Sequence, residues 1–172
     1  DGKLLDLSLG PVLEAIDFQF TYHSSCTDGK KVYFCTQTNH EIGAKREKSA
    51  HAAVSVYDPS LPLGKRLHPI HVEKRYNLSN FNGIAFNKTQ TGMPVLYVVG
   101  NATKTLGESK SHAIMYVMST DGKVLSSHEA EEGTSFTAIC IGQEPSTLFI
   151  AGIEYDAEIE GVGVPFFVKV SN

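Results

Sequence analysis

Three short apolar runs with one shared pattern constrain this chain more than any other feature. Val32-Tyr33-Phe34-Cys35-Thr36, Leu96-Tyr97-Val98-Val99-Gly100 and Leu148-Phe149-Ile150-Ala151-Gly152 each read aliphatic, aromatic, apolar, small or apolar, then Gly or Thr. Each is preceded by another short run: Ala15-Ile16-Asp17-Phe18, Gly83-Ile84-Ala85-Phe86 and Ala138-Ile139-Cys140-Ile141. Each is followed, after a polar stretch, by a third: Ala52–Val56, Ala113–Val117 and Pro165–Val170. Runs rich in β-branched and aromatic residues, bounded by Gly, Asn, Asp and Ser, are strands. The repeated aromatic at Tyr33, Tyr97 and Phe149 is expected to pack between neighbouring units.

A fourth element completes each unit. Gly64-Lys65-Arg66-Leu67 and Gly122-Lys123-Val124-Leu125 both follow turn-rich stretches and open an outer strand. The string recurs at Asp1-Gly2-Lys3-Leu4-Leu5. The markers Gly2, Gly64 and Gly122 stand roughly 60 residues apart with four strands per period, which is what a β-propeller blade requires. The chain therefore divides into an outer strand of a split blade at 1–9, blades at 10–68 and 69–127, and an incomplete blade at 128–172. The alternative is a single β-sandwich or barrel, which also has many short strands. Helix is expected to be nearly absent. Lys45–Ala50 and His128–Glu132 are weak helical candidates that read more easily as solvated loop.

Leu96–Thr103, Ala113–Met118 and Asp121–Leu125 together resemble the β-propeller repeat family whose strands read vYvtG-T and then DaFvtKld-dG. Leu148–Gly152 with Phe166–Val170 is similar, including the Phe-Val-Lys core. The resemblance spans the whole chain in short, degenerate strings, and it implies fold rather than function. The paired glycines of kelch blades, the tryptophan of WD-type blades and YWTD-type motifs are missing.

Three blades do not close a propeller, which takes four to eight. An open arc would expose sheet faces and an unpaired edge at each end. Completion by another copy or by a companion propeller chain is the expectation, with 1–9 of one chain finishing the blade begun by 166–170 of another. A two-fold dimer is the favoured form.

Composition narrows the function classes. The 172 residues carry a net charge of −4 with acid and base interspersed, which argues against a nucleic-acid partner. Apolar runs are too short for a membrane span. Cys26, Cys35 and Cys140 are too few for a disulfide scaffold. Cys140 reads as a buried small hydrophobe. Cys26 and Cys35 flank a turn at Asp28-Gly29 and form a possible disulfide. Asn77-Leu78-Ser79, Asn87-Lys88-Thr89 and Asn101-Ala102-Thr103 match the glycan acceptor pattern, and all three are expected in loops. Asn101 is expected at the end of a strand. These sequons point to a secretory-pathway or extracellular glycoprotein. No signal peptide precedes Asp1, so a mature, processed or trimmed chain is expected.

Motifs for chemistry are weak. Among the seven histidines, His68 and His71 are the close pair, and two residues three apart on a strand face opposite sides. Glu154, Asp156, Glu158 and Glu160 alternate on one segment and form a weak candidate Ca²⁺ site, although a solvated acidic loop explains them better. No nucleophile elbow or phosphate loop occurs, and no cofactor is implied. The stretch Gln37–His51, with Lys45, Arg46 and Lys48, reads as a long loop, either suited to binding or a tolerated surface insertion. The functional expectation is a non-enzymatic propeller scaffold that binds a protein or glycan through its loops. The alternative is a hydrolase or lyase with its site at the central channel, where Asp17 and Asn87 are the polar exceptions on otherwise apolar inner strands.

Overall fold

Backbone pairing follows the hydrophobic pattern strand by strand in a computed structural model that describes residues 18–19, 24–42, 47–104, 110–144, 147–155 and 162–171. The chain is all-β. In order, the strands are β1 Phe18–Gln19, β2 Ser25–Thr27, β3 Val32–Ile42, β4 Glu47–Tyr57, β5 Leu67–Val72, β6 Leu78–Lys88, β7 Pro94–Thr103, β8 His112–Ser119, β9 Val124–Glu132, β10 Thr134–Ile141, β11 Thr147–Tyr155 and β12 Gly163–Ser171. The one helical element among the described residues is a 3₁₀ turn at Leu63–Lys65.

These strands form three antiparallel meanders. In the first, β1 and β2 lie along β3, β3 pairs with β4, and β4 pairs with β5. The second runs β6-β7-β8-β9 and the third β10-β11-β12. A single parallel bridge, Ala50 to Leu78, joins the first two meanders into one nine-stranded sheet. The third is a separate sheet. No barrel closes among the described residues, and the sheets stack face to face in a sandwich-like arrangement.

Period-two alternation divides each meander into two faces. Tyr33, Cys35, Ala52, Val54 and Val56 pack against Ile84, Leu96, Val98, Ile114, Tyr116 and Met118. On the opposite face of the second meander, Val95, Tyr97, Val99 and Ala113 pack against Ile139, Leu148, Ile150 and Phe166. The second meander is thus covered on both sides. Tyr33 is fully buried and Tyr97 is 3% exposed. Each lies on the face turned toward the following meander.

Both junctions use the same hydrogen bond. The Ala52 amide on β4 donates to Ser79 Oγ on β6 at 2.8 Å. The Ala113 amide on β8 donates to Thr134 Oγ1 on β10 at 3.1 Å. Each hydroxyl sits near the start of an inner strand and satisfies an amide on the third strand of the preceding meander. An unpaired buried amide is costly, so these bonds fix the junctions in register.

Several expectations need correction. Gln37–His51 is not a long loop: β3 and β4 stay paired to Ile42 and Glu47, and only 43–46 connect them. The connection itself lies outside the described residues, as do Lys45 and Arg46. Residues 47–50 and 128–132 are strand. Ladder hydrogen bonding carries these polar stretches beyond the apolar centre of each strand, and their polarity alone looked like loop. The outer strands reach Val72 and Glu132, past the expected unit limits at 68 and 127. Segment 1–9 lies outside the described residues. Cys140 is exposed rather than buried, because it stands opposite Phe149 on the face of β10–β12 turned away from the second meander.

Candidate functional site

The densest polar cluster lies where the link from β5 to β6 meets β8 and β9. Glu73 leaves the first meander with its amide bonded to the Ala52 carbonyl at 2.8 Å, and its side chain is 2% exposed. Arg75 donates to Glu73 Oε1 from its backbone amide at 2.6 Å and from Nε at 3.3 Å. The Tyr116 hydroxyl donates to Glu73 Oε2 and accepts from Arg75 Nη2. The guanidinium lies 5.1 Å from the Tyr116 ring centre and 5.5 Å from that of Tyr76, within cation–π range.

A second group adjoins it. The Tyr76 hydroxyl donates to Glu129 Oε2 at 2.8 Å, and Lys104 Nζ is 2.7 Å from Glu129 Oε1. His112 Nδ1 lies 3.6 Å from the same oxygen. His71 packs against Phe81 and Tyr116, with ring centres 6.4 and 6.0 Å away.

Electrostatics follow from this packing. Burial, reinforced by the Glu73 carboxylate, pushes the Tyr116 phenol well above its ordinary value. Burial, with the bond to Glu129, raises the Tyr76 phenol to about 12. The Lys104 ammonium first, and the Tyr76 hydroxyl second, hold Glu129 below the usual carboxylate range. Burial lowers His71, partly offset by Glu73. Both phenols therefore keep their protons at neutral pH, and both oxygens of Glu73 are engaged. The cluster is chemically a clamp: it ties the exit of the first meander to the third strand of the second. Glu73-Lys74-Arg75-Tyr76 sits between two strands as charge beside an aromatic, which is the sequence signal for it.

Among the described residues, those singled out from sequence do not come together. Asn77 lies before β6, and its Nδ2 donates to the Lys104 carbonyl at 2.8 Å. Asn87 and Asn101 lie within β6 and β7 rather than in loops. Asn101 opposes Asn80 in the ladder, and its Oδ1 is buried. The chain leaves the sheet only after Thr103, so Asn101 is not at a strand end. Asn87 is the next-to-last residue of β6, and its Oδ1 accepts from the Lys88 amide at 2.8 Å. Cys26 stands opposite Tyr33, two residues out of line with Cys35, and both are free thiols. Burial, with the Asp28 charge, raises the Cys26 thiol to about 12, and burial raises Cys35 further. His68 Nδ1 donates to the Lys65 carbonyl at 3.1 Å and does not meet His71. Glu154 is exposed at the end of β11, whereas Asp156, Glu158, Glu160 and Asp17 lie outside the described residues. Among the described residues no group of three or more His, Cys, Asp or Glu is placed to hold a metal ion, and no helix is long and apolar enough to cross a membrane.

Comparison of the chain with protein-family models, with curated proteins and with solved structures finds no match.

Proposed function

We propose that the three meanders are propeller-type blades and that the chain is a recognition scaffold of the secretory pathway or cell exterior. It binds a protein or glycan partner through its turns, and another chain completes the assembly. The observation that carries this reading is the repeated junction. In both, the inner strand of one meander lies on the face of the preceding one, with a Ser or Thr hydroxyl receiving the amide of Ala52 or Ala113. A junction repeated in this way fits stacked repeats, each of which contacts only its neighbours, as blades do. The polar cluster around Glu73 supports a scaffold role, because its groups are spent on structural bonds. The turn at Asp28–Lys31 and the turn at Thr89–Met93 connect equivalent strand pairs and leave the sheet at one rim. They offer exposed Lys30, Thr91 and Met93 for contact.

The test is secretion of the chain from a eukaryotic host, followed by glycosidase treatment and probing of an immobilised glycan array. A mass loss assigned to Asn77 or Asn87, and array binding weakened by Lys30→Glu, would support the reading. An unchanged mass would remove the secretory location. Array signal indifferent to rim substitutions would remove glycan recognition through these turns.

A further inference from the structure

The two internal junctions define what the corresponding face of the third meander lacks. Register aligns Tyr33, Tyr97 and Phe149, and likewise Val54, Met115 and Phe167. The first two of each set face a following meander. Phe149 is 43% exposed and Phe167 is 82% exposed. Around them Ala138, Cys140, Ala151 and Pro165 share the same side. Lys169, on the edge strand, is the charged residue of this face. Phe149 and Phe167, diagonal neighbours on β11 and β12, thus form a ridge beside a trough of small residues on β10 and β11, on a sheet side that the fold elsewhere covers with another sheet.

We propose that a second copy of this chain covers this face, through the same face, about a two-fold axis. The inference rests on the reading that another chain completes the assembly, and it names that chain and the contact. A head-to-tail copy would have to offer the far side of the first meander. There Thr36, Ala53 and Ser55 are already buried, and Thr36 and Ser55 bond to each other at 2.9 Å. The described sheet side still open on a second copy is this one. Self-complementary contacts are the usual route to dimers. The ridge of Phe149 and Phe167 on one copy fits the trough of Ala138, Cys140 and Ala151 on the other. Pro165 replaces the Ala113 position and has no N–H. The face therefore leaves no inter-meander amide at that position in need of a hydroxyl, and apolar packing suffices. Three strands of about nine residues cover roughly 400 Å² in plan on each copy, and more as accessible surface. The pair therefore reaches the ~1,000 Å² that marks a specific contact.

Sedimentation of the full chain at tens of micromolar tests this, with maleimide labelling of Cys140 as a local reporter. Expected are a dimer, association weakened roughly 30-fold or more by Phe167→Asp, a similar effect of Phe149→Ser, and no effect of Leu63→Asp, which is exposed elsewhere. Cys140 should label faster in Phe167→Asp than in the parent chain. A monomeric parent, a dimer indifferent to both face substitutions, or equal weakening by Leu63→Asp overturns the proposal. Amide exchange at Ala52 and Ala113 in the same samples separates the two readings. Slow exchange in a monomeric chain leaves the blade junctions standing and removes the two-fold contact alone. Fast exchange at both removes the blade reading as well.

Discussion

Gly100 on β7 lies against the backbone carbonyl of Asn80, so closely that a side chain of even one carbon would meet the oxygen and the Phe81 Cα. The approach arises because β6 bulges at Asn82, with register shifting between Phe81 and Gly83. The third meander repeats the device. β10 bulges between Phe136 and Ala138, and Gly152 lies against the Ser135 carbonyl and the Phe166 ring. The glycine that ends the repeated strand pattern is therefore required by a bulge in the neighbouring inner strand.

Gly100→Ala is accordingly expected to destabilise the chain by about 3 kcal/mol, the upper part of the overpacking range, because the obstacle is backbone and cannot rotate away. Gly64→Ala, where nothing stands within 4 Å of an added Cβ, should change stability by less than about 0.5 kcal/mol. Chemical denaturation of both variants checks the pair. Equal midpoints would show that β6 relaxes around the new methyl group.

How much of this was legible beforehand depends on the kind of signal. The strand centres were, since apolar period-two runs survive in every unit. The aromatic position was too, and Tyr33 and Tyr97 pack between meanders. Strand ends were not. Glu47–Ala50 and His128–Glu132 are polar, and nothing local distinguishes a solvated edge strand from a loop once the pairing partner is unknown. The Gly-Lys marker was legible in place but not in conformation. Gly122 has φ of 89° and crowds the Ile70 carbonyl, whereas Gly64 sits in an open 3₁₀ turn. Leu67 is buried where Leu125 is exposed. The Glu73–Arg75–Tyr116 clamp joins residues about forty positions apart, so spacing alone could not reveal it.

Tyr97→Ala should cost about 3–5 kcal/mol, as loss of a large buried aromatic does. Phe149→Ala, at the same repeat position but uncovered in a single chain, should cost well under half of that in a dilute monomer. Thermal unfolding of the two variants at low concentration makes the comparison. Similar losses would mean that Phe149 is covered within one chain.

Ser79→Ala removes the acceptor of the Ala52 amide without adding bulk. A buried donor left unpaired costs about 1–3 kcal/mol. Thr134→Val should do the same to Ala113 at the next junction, because valine keeps the shape and loses the hydroxyl. Hydrogen exchange resolves the effect residue by residue. Protection should fall at Ala52 in the first variant and at Ala113 in the second, each leaving the other junction unchanged. Loss at both sites together would show that the junctions unfold as one unit.

Acid sensitivity is expected to centre partly on Asp58. Its Oδ1 accepts the Ser60 hydroxyl at 2.5 Å and the Ser60 amide at 3.0 Å, and its Oδ2 lies 2.9 Å from Lys31 Nζ. The Ser60 hydroxyl first, and the Lys31 ammonium next, hold the carboxyl down to about 2 from an ordinary 3.8. A carboxyl depressed in the folded state binds its proton more readily when unfolded. Its contribution is therefore complete above the unfolded value and is lost as pH falls through the folded one. Asp58 ties the turn between β4 and β5 to the turn before β3, so stability should decline between about pH 4 and pH 2. In Asp58→Asn part of that decline should vanish, and the variant should be the less stable protein at neutral pH. The remaining slope belongs to groups such as Glu129, held down by Lys104. Unfolding midpoints measured from pH 7 to pH 2 check this. A variant curve parallel to that of the parent chain would show that Asp58 is as easily protonated in the fold as out of it.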